Sequence, residues 1–138
     1  MRWMRWLAPV VLLAVAGCAS GGQKRSALED RQELYAKSVR WGEFEAAWSA
    51  VDPEVRKAQP KTALEFERYK QIQVSGYSEL SAELSGDGQH ARREIQISVI
   101  NRHTMTERGL RYAETWRYDP AAKTWWVTSG LPDFWAGE

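Results

Sequence analysis

The feature that most constrains the fold is a strict alternation of residue types that begins near residue 70. Every second position from Ile72 to Leu84 is apolar or small, which predicts a β-strand with one buried face. The dipeptide Asp87-Gly88 follows and is typical of a tight hairpin turn. Pairing across this turn predicts the following opposed residues: Gly86 and Gln89, Leu80 and Ile95, Ser78 and Ile97, Gly76 and Val99.

Two further turns extend the same pattern into a meander. A loop of two or four residues within 105–108 and a four-residue loop within 119–123 both keep apolar residues on one face. The pairs that these loops predict are Val99 with Glu114, Ile97 with Trp116, Tyr118 with Trp125, and Trp116 with Val127. Burial is expected at Leu80, Ile95, Ile97, Val99, Trp116 and Val127, and exposure at Gln96 and Arg117.

The segment before residue 60 carries helical patterns. Ser26 with Glu29 three residues later predicts a helix start. Apolar residues spaced by three or four then follow in two runs, Leu28, Tyr35 and Val39, and Trp41, Phe44, Trp48 and Val51. Asp52-Pro53 opens a further short helix that ends near Pro60. Helices followed by a meander predict an α+β domain with the helices packed on one face of a four-stranded antiparallel sheet.

The strand–turn–strand RYAETWRYDPAAKTWWVTSG, with Trp116 and Trp125, resembles the NTF2-like (cystatin-like cone) superfamily, and the likeness covers residues 26–131. The resemblance implies a curled sheet that forms a cone with the helices. The superfamily contains isomerase-type enzymes, cyclases and proteins that only bind or assemble, so the fold does not select a function. A single partial match of GEFEAAW to a tetratricopeptide repeat is the weaker alternative, because such repeats need stacked copies.

The N-terminus has the features of a secretory signal. Arg2 and Arg5 precede an apolar run of 12 residues, 6–17, which is shorter than the roughly 20 residues of a membrane-spanning helix. The run ends in Val15-Ala16-Gly17-Cys18, which resembles the lipobox of bacterial lipoproteins. The resemblance implies cleavage after residue 17 and lipid attachment to Cys18. An unlipidated signal with an incidental cysteine is the alternative.

The same resemblance predicts the location of the protein. In lipoproteins an aspartate directly after the cysteine favours the inner membrane, whereas this chain has Ala19 there. We therefore expect a lipid anchor in the outer membrane, facing the periplasm, with surface exposure as the open alternative. Residues 18–25 are small and polar and are predicted to form the lipidated cysteine and a flexible tether, with the domain at 26–138.

Composition excludes several function classes. The chain has 19 lysines and arginines against 18 aspartates and glutamates, and two of the arginines lie in the predicted signal. This balance argues against nucleic-acid binding. The single cysteine allows no internal disulfide. His90 and His103 do not have the spacing of zinc ligands, so neither a metal nor a cofactor is expected.

The polar residues of the predicted inner face define a candidate pocket. They are Glu114, Asn101, Tyr112, Ser129 and His103. A carboxyl between Tyr112 and Trp116 in an apolar wall suits a general acid or base, the role that an acidic residue has in enzymes of the resembled superfamily. The other reading, which we favour, is a structural carboxylate, solvated at the mouth of the cone or paired with an arginine from the helices such as Arg40. No catalytic triad or phosphate-binding loop is present in the sequence.

The predicted outer face and the C-terminal tail carry a second candidate set. Its members are Tyr77, Ile100, Trp126, Phe134 and Trp135. Aromatic residues mixed with arginines are typical of interfaces, so this face predicts a protein partner or a homodimer. Coverage of the face by the chain's own tail is the alternative. The favoured hypothesis is a membrane-anchored, non-catalytic binding or assembly module, and the other is a small enzyme or ligand carrier with Glu114 as acid–base residue.

Overall fold

The structure of the protein, a computed structural model, describes residues 16–136, in which helices precede an antiparallel sheet. The helices are α1 (Ala16–Arg40), α2 (Phe44–Ser49), α3 (Pro53–Ala58) and α4 (Ala63–Tyr69). The strands are β1 (Ile72–Leu84), β2 (His90–Asn101), β3 (Glu107–Asp119) and β4 (Thr124–Val127), in the spatial order β1-β2-β3-β4. The predicted α+β class, with helices on a four-stranded meander, is confirmed.

The first helix is longer than the sequence predicts. The predicted tether, residues 18–25, and the predicted helix start at Ser26 both lie inside α1. The backbone carbonyl of Lys24 accepts a hydrogen bond from Trp125 Nε1 at 3.0 Å, and the Lys24 ammonium lies 4.4 Å from the centre of the Tyr118 ring. These contacts fix the helix four residues before the buried Leu28, and extending an existing helix costs less than nucleating one. The predicted signal, residues 1–17, lies outside the described residues except for its last two.

The helical segment contains one element that the periodicity does not reveal. α4 begins with a capping box, in which Thr62 Oγ1 accepts from the Glu65 backbone N–H and Glu65 Oε2 accepts from the Thr62 backbone N–H at 2.7 Å. The sequence Thr-x-x-Glu signals this start.

Trp41, predicted on an apolar helix face, is instead 77% exposed because it lies in the turn between α1 and α2.

The β1–β2 pairing is correct beside the turn and wrong farther from it. Leu84 pairs with Ala91, as the Asp87-Gly88 turn predicts. Two β-bulges in β1 then shift the register, one between Val74 and Gly76 and one between Glu79 and Ser81. The resulting pairs are Glu79 with Ile95, Tyr77 with Ile97 and Val74 with Val99. Because each bulge inserts one residue into the strand, Leu80 is 50% exposed rather than buried, and Tyr77 points to the inner face.

The β2–β3 register is also shifted, by six residues. Ile100 pairs with Glu107, and Val99 pairs with Arg108 rather than with Glu114. The turn lies earlier than predicted, because Asn101 Oδ1 accepts hydrogen bonds from the backbone N–H groups of His103 at 2.9 Å and Thr104 at 3.3 Å. In such an Asx turn the asparagine side chain binds the backbone two residues further on, so the chain can reverse here without a longer loop. An even shift leaves each residue on its predicted face but changes its cross-strand partner.

The last hairpin matches the prediction. Trp116 pairs with Val127, and Tyr118 pairs with Trp125. The core lies between this sheet and the helices, and its largest fully buried members are Trp116, Trp125, Tyr35, Phe134, Ile95 and Ile97. Arg117 points outward as predicted, but its side chain is only 32% exposed because it forms an ion pair with Asp52 beside β4.

Candidate functional site

The carboxylate of Glu114 lies inside the protein with no exposed surface. β3 places it on the inner face between Tyr112 and Trp116, which are also buried. Glu114 Oε1 accepts hydrogen bonds from Arg93 Nε at 2.9 Å, Arg93 Nη2 at 2.6 Å and Trp116 Nε1 at 2.5 Å. Glu114 Oε2 accepts from the hydroxyl of Tyr77. The carboxylate is therefore desolvated and fully hydrogen-bonded by its neighbours.

Arg93 connects this buried group to the surface. It lies directly opposite Glu114 in the β2–β3 pairing, and its Nη1 also contacts the exposed Glu79 at 3.3 Å. Burial lowers the pKa of Arg93, but the charge and hydrogen bonds of Glu114 outweigh burial and raise that pKa. The guanidinium fork of Arg93 thus meets the Glu114 carboxylate through two parallel N–H groups, the geometry of a strong arginine–carboxylate pair.

The closed cluster, defined as Glu114, Arg93, Tyr77 and Trp116, has the geometry of a structural ion pair. Four hydrogen bonds occupy the carboxylate, and a general acid or base must instead reach a substrate proton. The predicted alternative of a carboxylate held by arginine describes this arrangement, but the partner is Arg93 from β2 and not Arg40 from α1. Strand alternation places Arg93 on the same face as Ile95, but only the correct β2–β3 register sets it opposite Glu114.

Tyr112 and Ser129, two other predicted pocket residues, belong to a second polar cluster. The Tyr112 hydroxyl lies 2.8 Å from Ser129 Oγ and 3.1 Å from the Tyr35 hydroxyl. Both tyrosine hydroxyls donate to the backbone carbonyl of Gly130, at 2.6 Å from Tyr112 and 3.1 Å from Tyr35. Ser129 Oγ also accepts from the backbone N–H of Thr115 at 3.1 Å. This tyrosine–serine cluster fixes the loop that follows β4 to α1 and β3.

Burial raises the pKa of every tyrosine in these clusters. It is the largest cause for Tyr35, Tyr77 and Tyr112, and the nearby charge of Glu114 adds to it. Burial likewise raises the pKa of Tyr69, at the end of α4, to about 12. The hydroxyls therefore remain neutral donors over the physiological range.

Asn101 and His103 are not part of either cluster. Asn101 forms the β2–β3 turn, and His103 is exposed in the same turn. Arg93, opposite Glu114, precedes Asn101 by eight residues in β2, a distance of about 26 Å along an extended strand. The predicted pocket set is therefore divided between two ends of the sheet.

The predicted interface set is also divided. Ile100 and Trp126 are half-buried on the outer face, where Trp126 Nε1 donates to Asp119 Oδ2 at 3.2 Å. Tyr77 faces inward to Glu114. Phe134 is fully buried against Phe44 and Tyr69, and Trp135 packs on Tyr69. The tail therefore covers the helix side of the domain rather than the outer face of the sheet, because its aromatic residues complete the core beside α2 and α4.

Several features bear on metals, membranes and open surfaces. Within residues 16–136, no three His, Cys, Asp or Glu side chains come together as metal ligands. No helix in this part of the chain is long and apolar enough to span a membrane.

Surface grooves are present, and among the described side chains neither Glu114 nor Arg93 lines any of them.

Comparisons with known proteins inform the fold. No protein family model matches the chain, and no curated protein does. Among solved structures, it is similar to a SEC-C motif-containing protein from Rhodopseudomonas palustris, with a TM-score of 0.54, 14% identity, and coverage of 78% of this chain and 77% of the other. It is also similar to a SEC-C motif-containing protein from Psychrobacter arcticus, with a TM-score of 0.56, 11% identity, and coverage of 77% and 62%. At these identities the likeness concerns the fold alone.

Proposed function

We propose that the protein is a lipid-anchored lipoprotein of the outer membrane that faces the periplasm and acts as a non-catalytic binding or assembly module. The observation that carries the anchoring is the sequence LAVAGC, whose cysteine follows a short apolar run after two arginines. Two or more acyl chains hold a protein firmly on a membrane, whereas one chain binds only marginally. The resemblance to lipoproteins implies three acyl chains on Cys18, which would keep the domain on the bilayer.

The course of α1 supports a domain close to the membrane. Cys18 lies in α1 six residues before Lys24, which contacts the sheet through Trp125. Six helical residues span about 9 Å. A lipid on Cys18 would thus be joined to the domain through a short helical segment, and the domain's partners would be found at or near the membrane surface.

The closed cluster supports a non-catalytic role. An acid–base residue must exchange a proton with a substrate, and the Glu114 carboxylate is fully buried and accepts four hydrogen bonds. The alternative of a small enzyme with Glu114 as acid–base residue would require Arg93 and Tyr77 to move away. We therefore favour binding over catalysis.

The outer face of the sheet is the surface that we propose for a protein partner or a second copy of the chain. Ile100 and Trp126 are half-buried there, and the exposed Arg92 and Arg111 lie on the same face by strand alternation. Aromatic and arginine side chains are enriched at interfaces. The tail does not cover this face, since Phe134 and Trp135 pack against Tyr69 instead.

The anchor is tested with Cys18→Ser. We expect an unprocessed precursor that incorporates no labelled palmitate, because the cysteine sulfur is the proposed lipid acceptor. Ser20→Ala, two residues away, is the matched control and should be processed and labelled like the parent. A Cys18→Ser protein that is cleaved and fractionates with membranes like the parent would disprove the anchoring.

The membrane is tested separately with Ala19→Asp. The resemblance to lipoproteins predicts that an aspartate next to the lipidated cysteine retains the protein in the inner membrane. The parent should fractionate with the outer membrane and the variant with the inner membrane, as followed by density-gradient separation. A parent protein in the inner-membrane fraction would contradict the outer-membrane proposal and leave the anchor itself intact.

A further inference from the structure

A groove of about 300 Å³ lies between the short helices and the loop that follows β4. One wall is formed by Trp48 of α2 together with Val55 and Ala58 of α3, and the other by residues 128–131. Lys61, from the segment between α3 and α4, also lines it. The groove therefore combines an apolar wall, a backbone loop and one cation.

The Lys61 ammonium is held by aromatic rings rather than by an acid. Its Nζ lies 5.2 Å from the centre of the Trp48 ring and 5.4 Å from that of Tyr69, within the range of cation–π contacts. Among the described residues, no carboxylate forms an ion pair with it. The nearby Glu65 uses its carboxylate to cap α4. Among the described residues, the Lys61 ammonium is thus positioned by rings and not paired directly with a carboxylate, while its charge adds to the Thr62 hydrogen bonds that lower the pKa of Glu65.

The loop side of the groove is rigid and contains unused donors. Gly130 has a left-handed backbone, with φ of 73°, and its carbonyl is held by the hydroxyls of Tyr35 and Tyr112. Within residues 16–136, the backbone N–H groups of Gly130 and Leu131 donate to no backbone carbonyl. A left-handed residue in such a loop can turn successive N–H groups towards one anion. The buried tyrosines therefore hold this side of the groove in place before any ligand arrives.

We propose that this groove binds a small organic carboxylate, with Lys61 as its charge partner and the apolar wall around Trp48 in contact with its hydrocarbon part. One cation matches a monoanion, and the volume lies at the lower end of known ligand pockets, which run from about 300 to 1,000 Å³. The carboxylate oxygens would accept from the ammonium and from the loop N–H groups. This inference is independent of membrane anchoring and of the partner proposed for the sheet.

The test is isothermal titration calorimetry of the full chain with acetate, butyrate and benzoate, and with benzamide as the neutral counterpart of benzoate. We expect benzoate to bind with a Kd of about 1 mM or lower and at least about tenfold more tightly than benzamide, because a hydrogen bond to a charged group is involved. Lys61→Met should weaken benzoate binding about tenfold, and Lys61→Arg should retain most of it.

Lys57→Met is the matched control, because Lys57 is an exposed lysine of α3 outside the groove, and it should bind like the parent. Thermal unfolding of each variant separates lost binding from lost folding. Backbone NMR shifts on adding benzoate should be largest at residues 129–131. The proposal is overturned if none of the three carboxylates binds, if benzamide binds as tightly as benzoate, or if a folded Lys61→Met protein binds like the parent.

Discussion

The two polar clusters on the inner face differ in what their groups are free to do. In the closed cluster, Glu114 has no exposed surface, and each of its oxygens accepts from a neighbouring side chain. In the tyrosine–serine cluster, the hydroxyls hold a loop whose other side lines a groove containing Lys61, a cation that forms no ion pair with a carboxylate of residues 16–136. The first cluster is saturated, whereas the second supports an open surface.

This difference shows why a buried acid in an α+β domain is a poor guide to function by itself. The residue with the most suggestive position, Glu114, is paired across the sheet with Arg93. The residue with available charge, Lys61, lies outside the sheet in a loop between two short helices. Open hydrogen-bonding capacity, rather than burial, identifies the surface that can bind a ligand.

Arg93→Met is the largest expected perturbation of the closed cluster. Removing the guanidinium leaves the Glu114 carboxylate buried without its cation, which typically destabilises a protein by about 3–5 kcal/mol. Urea unfolding followed by circular dichroism measures the change. Arg92→Met is the control, because Arg92 is exposed and forms a surface ion pair with Glu94, and it should change stability by less than about 1 kcal/mol.

High pH should open both clusters together. In the folded protein, the pKa of Tyr35, Tyr77 and Tyr112 is raised above the ordinary value near 10. The contribution of these tyrosines to the free energy of unfolding is therefore complete below about pH 10. It is lost as the pH rises, because the unfolded chain then releases protons that the folded protein still holds. From about pH 10, each of these tyrosines lowers the free energy of unfolding by roughly 1.4 kcal/mol per pH unit. Tyrosinate absorbance and loss of circular dichroism should then rise together. Ionisation of all five tyrosines in a folded protein would contradict this burial.

Tyr77→Phe and Tyr112→Phe compare the clusters directly. Tyr77 donates to a carboxylate, so removing its hydroxyl should lower the free energy of unfolding by about 1.5–3 kcal/mol. Tyr112 donates to a carbonyl that also accepts from Tyr35, so removing its hydroxyl should lower that free energy by about 0.5–1.5 kcal/mol. Chemical denaturation of the two variants gives the comparison. Equal costs, or a larger cost for Tyr112→Phe, would show that the clusters do not differ as described.

The sequence predicts the β3–β4 half of the sheet better than the β1–β2 half, for a physical reason. Residues 120–123 form a short loop between strands with large apolar residues, and the pair Trp116–Val127 follows from it. In β1, each bulge adds one residue to the strand, and the alternation of small and polar residues in the sequence does not show where the bulges lie. The alternation therefore predicts Tyr77 on the outer face, although its hydroxyl donates to Glu114 on the inner face.

The candidate sites were recoverable from the sequence only in part. The burial of Glu114 and the proximity of Tyr112 and Ser129 follow from the inner-face pattern, and the structure contains both. The pairing of Glu114 with Arg93 depends on the β2–β3 register, which the Asx turn at Asn101 sets. Other turn positions keep the same residues on the inner face, so the alternation does not select this one. Lys61 could not be found from the sequence, because its ring contacts join segments that only the tertiary fold brings together.

The central claim, that Glu114 is a structural carboxylate held by Arg93, is tested most directly by a double-mutant cycle. Glu114→Gln, Arg93→Met and the double variant are compared with the parent by urea unfolding. We predict that each single change destabilises the protein and that the double variant is less destabilised than the two changes added together, by about 1–3 kcal/mol. A Glu114→Gln protein at least as stable as the parent would contradict the claim and favour an acid–base or ligand-binding role for Glu114.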